Sequence, residues 1–201
     1  IGMVWFIFSE VMFFACFFGT LFYLRRIALP ELGWYEAAYT PYAGFTSAWP
    51  SAGPLGEAFT PMGAWGIPAV NTLLLLTSGV TLTIAHWGLI AGKRGQLVWG
   101  LAATILLGVV FLGFQAFEYM HAYHELGLTL GAGVYGATFF ITTGFHGMHV
   151  TLGAIMLAVI LGRSMKGHFS EHNHFAFEAV AWYWHFVDVV WLLVFVFVYW
   201  L

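Results

Sequence analysis

Five stretches of this chain are each long and apolar enough to cross a bilayer, which takes about 20 such residues in a helix. They fall at 2–24, 67–91, 97–120, about 132–162 and 175–201. None alternates in polarity, so they read as helices rather than the ~10-residue strands of a membrane barrel. The rest of the composition agrees. Of 201 residues, 61% are hydrophobic and only 7% charged, against about 25% charged in an ordinary soluble domain. A soluble enzyme of this size could not cover its surface, and a disordered chain would be far less hydrophobic. Six Lys and Arg against nine Asp and Glu leave no basic patch for a nucleic acid. The expected fold is an all-α polytopic bundle of five transmembrane helices, forming a single membrane domain over 1–201.

The connections are uneven. Lys93 and Arg94 sit in a tight loop; 121–131 and 163–174 make two further links. The segment 25–66 is about 40 residues, rich in Gly, Pro and aromatics, and long enough to predict a structured cap or partner contact. Its Trp34, Trp49 and Trp65 suit a membrane interface. Lys93, Arg94, Arg163 and Lys166 lie on the N-terminal side, against Arg25 and Arg26 on the other. The positive-inside rule then places the N-terminus in the cytoplasm or matrix, and segment 25–66 and the C-terminus outside. The first span is too long for a signal peptide, carries Glu10, and has neither a basic leader nor a small-residue cleavage site. The start at Ile1 implies processing or a sequence that begins inside a longer one.

Ionisable groups inside a span are costly, about 2.5–3.5 kcal/mol at the centre on insertion scales, so each needs a partner. Glu10 lies roughly 12 Å into the first span at 1.5 Å per residue. It reads either as a proton-relay or lipid-contacting carboxylate, or as a carboxyl hydrogen-bonded to a neighbouring helix. His146 and His149 share a helix face. Two such histidines can begin a metal or haem site, or bond to neighbouring helices. In the fifth span Glu178, Trp182, His185, Asp188 and Val189 form one stripe that is expected to be buried against protein. His185 and Asp188 are expected to pair or to reach His149, as a structural network or a general acid/base pair. His86, Gln115 and Glu118 are placed near span ends, within reach of water or headgroups. Arg163 and Lys166 read as topology anchors and as contacts for anionic lipid headgroups. Ala132 with Gly136, and Gly133 with Ala137, would let helices approach closely. The single cysteine, Cys16, excludes any site needing two thiolates from this chain. No nucleophile triad, phosphate-binding glycine loop or zinc motif is present.

The final run FEAVAWYWHFVDVVWLLVFVFVYWL resembles the last helix of the cytochrome c oxidase subunit III family. The resemblance continues in order through WFIFSEVMFFACFF, PAVNTLLLLTSGVTLTIAHW, GFQAFEY, GVYGATFFITTGFHGMHVTLGA and FSEHNHFAFEA. These are similar to the family's third to sixth helices and the turn that follows, with Glu10 on its intramembrane glutamate. The seven-helix form has two further helices upstream, so a partial chain is expected; a five-helix form also exists, as in quinol-oxidase relatives. The resemblance implies a noncatalytic subunit of a proton-pumping oxidase that reduces O₂ to water. It implies no haem or copper in this chain, with both held by partner subunits. It also implies packing on subunit I beside subunit II, and bound phospholipid in a cleft along which Glu10 lies, with Arg163 as a headgroup contact. Cytochrome c would act on the complex through other subunits. The expected membrane is a bacterial inner membrane, with the mitochondrial inner membrane as alternative.

Four other readings stay open on the residues. A quinol oxidase subunit and a nitric-oxide-reductase accessory protein are the related ones. Those of a different class are a stand-alone membrane cytochrome using His86, His146, His149 or His185 as axial ligands, and a proton or solute carrier built around Glu10, Glu178 and Asp188.

Overall fold

The computed structural model describes residues 1–34, 42, 45–170 and 173–201. The side chain of Trp34, and with it one of the three expected interfacial tryptophans, lies outside the described residues. Five helices are long and apolar enough to span a membrane, and no β-strand occurs among the described residues. We label them α1 (Gly2–Tyr23), α2 (Ile67–Ile90), α3 (Arg94–His124), α4 (Val134–Met165) and α5 (Phe175–Val194). α5 runs on through a wide-turned piece, Phe195–Trp200.

Three helices run past the ends expected from hydropathy. α1 continues beyond Leu24 through a π-helical stretch, Leu24–Ala28, into a short helix, Leu29–Trp34. The wide turn precedes Pro30, which cannot donate to the carbonyl four residues back. The Leu29 N–H reaches Leu24 O instead, five residues back, and the helix carries on. α3 reaches His124 and α4 reaches Met165, because polar and basic residues at the membrane surface do not by themselves break a helix. Pro68 sits in the first turn of α2 as expected, where a missing N–H is tolerated.

The chain divides into two compact units. Unit 1 holds Ile1–Met62 and Tyr119–Gly144; unit 2 holds Gly63–Glu118 and Phe145–Leu201.

In unit 1 the described part of segment 25–66 folds onto the start of α4. The amides of Val134 and Tyr135 donate to the carbonyls of Ala52 and Ser51 at 3.1 and 3.2 Å. Those are helix-start donors with no partner inside the helix. Gly133 makes this approach feasible: its φ is +110°, and a β-carbon there would collide with the Ala52 carbonyl. The small residues at the start of α4 thus admit a loop, not a second helix. Phe59 stacks on Tyr135 at 5.1 Å, Trp49 meets the same ring at 5.6 Å, and Arg25 lies over Trp49 at 5.9 Å.

In unit 2, α5 is the packing axis. Trp184, Trp191 and Phe177 are fully buried along it. Lipid tails are as apolar as leucine, so helices here associate through close packing and hydrogen bonds rather than through exclusion from water. Both devices are present. Gly108 on α3 and Gly153 on α4 form a seat for Trp184: a β-carbon at either would lie 2.7 or 2.8 Å from the indole. The Trp184 indole N–H donates to Ser78 Oγ at 2.9 Å, and that of Trp191 to Thr72 Oγ1 at 3.0 Å. The two tryptophans are seven residues apart, so they share one helix face, which α2 receives with two hydroxyls.

Candidate functional site

The polar residues of unit 2 fall into three groups along α5. The first is deep. His146 on α4 is fully buried, and its Nε2 donates to the Val187 carbonyl of α5 at 3.1 Å. Its ring packs against Phe111 and Trp191. His149, one turn on, bonds through Nδ1 to the Phe145 carbonyl of its own helix at 2.6 Å. The Tyr183 hydroxyl donates to the His149 carbonyl at 3.4 Å. Each histidine thus has a ring N–H committed to a backbone carbonyl. The pair does not converge on a common point with a third ligand among the described residues.

Asp188 is buried on α5. Its Oδ2 lies 3.9 Å from His185 Nδ1, and its Oδ1 has no hydrogen-bond partner. Gly79 of α2 opposes it, and a β-carbon there would lie 2.6 Å from Oδ2. So His185 and Asp188 pair with each other. The stripe of which they are part is not buried as a whole: Trp182 and Val189 are exposed and the His185 side chain is 45% exposed. The spacings 4, 3, 3 and 1 define a face wider than the contact with α2, which Glu178, His185 and Asp188 meet while Trp182 and Val189 stay exposed.

The second group corrects an expectation. Gln115 and Glu118 do not reach water or headgroups; they are 5% and 2% exposed. The Tyr199 hydroxyl donates to Glu118 Oε2 at 3.2 Å, and Gln115 Nε2 donates to that hydroxyl at 3.5 Å. The physical reason is helix length. α3 runs to His124, more than a turn past the expected exit at 120, so Glu118 sits inside the helix and faces the end of α5. Nothing in the sequence pairs positions 118 and 199; the match follows from α3 and α5 packing side by side.

The third group lies where α2 ends and α5 begins. His174 Nε2 is 3.2 Å from Glu178 Oε1, and His86 Nε2 is 3.9 Å from the same oxygen. His174 caps α5 and Glu178 lies in its first turn. The His86 ring also packs on Phe177 at 5.3 Å.

The lipid-facing candidates are Glu10, Arg163 and Lys166. Glu10 is half-buried on α1. Arg163 is exposed at the end of α4, its guanidinium 5.0 Å from the centre of the Phe169 ring. Lys166 is exposed just beyond the same helix. Arg94, read from sequence only as a loop charge, donates to the Met165 carbonyl and so ties the start of α3 to the end of α4. Asn71 was not singled out by the sequence, yet it is fully buried on α2 with neither amide atom hydrogen-bonded. Trp65 is exposed and meets Trp200 edge-on at 5.9 Å, an arrangement suited to a membrane surface.

Chemically, the deep groups can hold helices together. Their hydrogen bonds run to one another and to backbone carbonyls, while His146 Nδ1, Gln115 Oε1, Glu118 Oε1 and Asp188 Oδ1 have no hydrogen-bond partner. The cluster at the α2–α5 junction is the exception, with three ligand-type side chains converging.

The chain matches the family model of cytochrome c oxidase subunit III over residues 1–201. Cytochrome c oxidase subunit 3 of Cyprinus carpio is 46% identical over 199 residues, 99% of this chain and 68% of that protein. The proteins of the same name from Branchiostoma lanceolatum and Scyliorhinus canicula are each 45% identical over the same shares.

Proposed function

The chain belongs to the cytochrome c oxidase subunit III family, and from that premise we propose that it is the noncatalytic packing subunit of a proton-pumping oxidase. The complex takes electrons from cytochrome c and reduces O₂ to water. Haem and copper supply the redox chemistry there and belong to partner subunits I and II. The match over residues 1–201 carries the reading. The residues fit it. His146 and His149, two of the candidate axial ligands, each direct a ring nitrogen to a backbone carbonyl. A two-copper centre needs two cysteines, and the sequence has Cys16 alone.

In this reading the chain acts through packing, retained phospholipid and charge near the proton entry of subunit I. Glu10 on α1 faces that lipid, and Arg163 and Lys166 meet headgroups at the end of α4. The N-terminal side is the proton-uptake side, because Lys93, Arg94, Arg163 and Lys166 outnumber Arg25 and Arg26. The test is purification of the tagged chain from native membranes in mild detergent. Oxidase subunits I and II should come with it, together with O₂ consumption driven by reduced cytochrome c. A chain that emerges alone, or with an unrelated transporter, overturns the proposal.

A further inference from the structure

We propose that His86, His174 and Glu178 form a binding site for a divalent d-block cation of the zinc type, pinning the end of α2 to the start of α5. Three observations converge on it. The ligand atoms all lie within 4.8 Å of one another. Two of the separations, 3.2 and 3.9 Å, are close to the ~3.3 Å edge of a tetrahedron with metal–ligand bonds of about 2.0–2.1 Å. Small side-chain rotations close the remainder. Second, the ligands are oriented from behind. His174 Nδ1 donates to the Ser170 carbonyl at 3.0 Å, which leaves the lone pair on Nε2, the atom facing the cluster. A metal-bound histidine is fixed in this way. Third, His86 Nε2 is itself shut off from solvent and has no hydrogen-bond partner, and it points at Glu178.

The donor set selects the ion. Two imidazoles and one carboxylate suit zinc and its neighbours, whereas magnesium and calcium demand oxygen ligands throughout. Three protein ligands leave a fourth position open. The side chains of His86 and Glu178 are about one-third exposed. The three ligands come from two helices separated by more than 80 residues of sequence, so the spacing matches no sequence motif for zinc.

The experiment is equilibrium dialysis against ⁶⁵Zn²⁺ of the chelator-treated protein, in whatever assembly the chain leaves native membranes. It therefore does not depend on the oxidase reading. His86→Gln, His174→Gln and Glu178→Gln should each remove one bound equivalent or weaken it about tenfold or more. His121→Gln, whose ring sits beside Glu125 at the far end of α3, should change nothing. In the unaltered protein, X-ray absorption at the zinc edge after reloading should show imidazole scattering from two histidines at about 2.0–2.1 Å. That reading holds even where a variant fails to fold. Unchanged binding in all three variants, or a zinc shell of oxygen atoms alone, overturns the proposal.

Discussion

Helices α1 and α5 are nearly equal in hydropathy and opposite in what this chain does with them. Their most apolar windows have mean hydropathies of 1.9 and 1.8, yet 11% of the first and 44% of the second is buried. On α1, Trp5, Phe8, Met12 and Phe22 are all more than half exposed. On α5, Trp184 and Trp191 are fully enclosed and each donates to a hydroxyl of α2. Hydropathy therefore tells a helix that it belongs in lipid but not how much of it another helix will cover. What separates the two is the small set of groups that pack and bond. α5 brings indoles, a tyrosine and an aspartate to glycines and hydroxyls on three neighbours. The face of α1 is aromatic and aliphatic, suited to lipid tails or to another chain.

Substitutions along the two helices can break or sharpen this contrast. Trp184→Ala should have the largest effect. It empties the seat lined by Gly108 and Gly153 and leaves Ser78 Oγ without its donor. We expect a loss in the lower half of the about 3–5 kcal/mol seen for buried Trp→Ala, because lipid, unlike water, does not penalise the freed apolar surface. Thermal unfolding in detergent, read by helical circular dichroism, measures it; an unchanged midpoint would remove α5 from its role as packing axis. Next comes the pair on the stripe. Asp188→Leu should lower the yield of folded assembly several-fold, since the branched side chain must enter the space against Gly79. His185→Leu should lower it less, its side chain being 45% exposed. Equal yields of the two variants, followed by size-exclusion profiles, would mean the exposed face of His185 is covered by a partner as tightly as Asp188 is covered by α2.

Tyr199→Phe is milder. It removes the bond to Glu118 and the longer one from Gln115, and interhelical hydrogen bonds in membranes contribute about 0.6 kcal/mol each on average and at most ~1.7. A loss well beyond that range would show that Glu118 has no other means of support. Glu10→Gln on α1 should be the smallest, with assembly and melting unchanged. Loss of the complex in that variant would make Glu10 a structural residue and α1 a packing helix after all.

How much of this could be read in the sequence follows the same division. The five spans and the first-turn Pro68 were legible, because hydropathy over about 20 residues is a strong signal. Helix ends were not. Arg25 and Arg26 look like a membrane exit, but long basic side chains reach the surface while their backbone stays helical, and a wide turn absorbs Pro30. That error in reading ends also misplaced Glu118, which the longer α3 carries inward. The pairing of His185 with Asp188 was legible from a three-residue spacing, but the breadth of the buried face was not. The α2–α5 junction was invisible as a unit. His86 and Glu178 were singled out separately and His174 not at all, and only the packing of α2 against α5 brings the three within 4.8 Å.

The central claim is that this chain contributes packing rather than redox chemistry, and depleting it from the purified oxidase tests that most directly. The depleted complex should keep its full haem absorbance and its initial rate of cytochrome c-driven O₂ reduction. A haem band or an initial rate that falls in proportion to the chain removed would contradict the account.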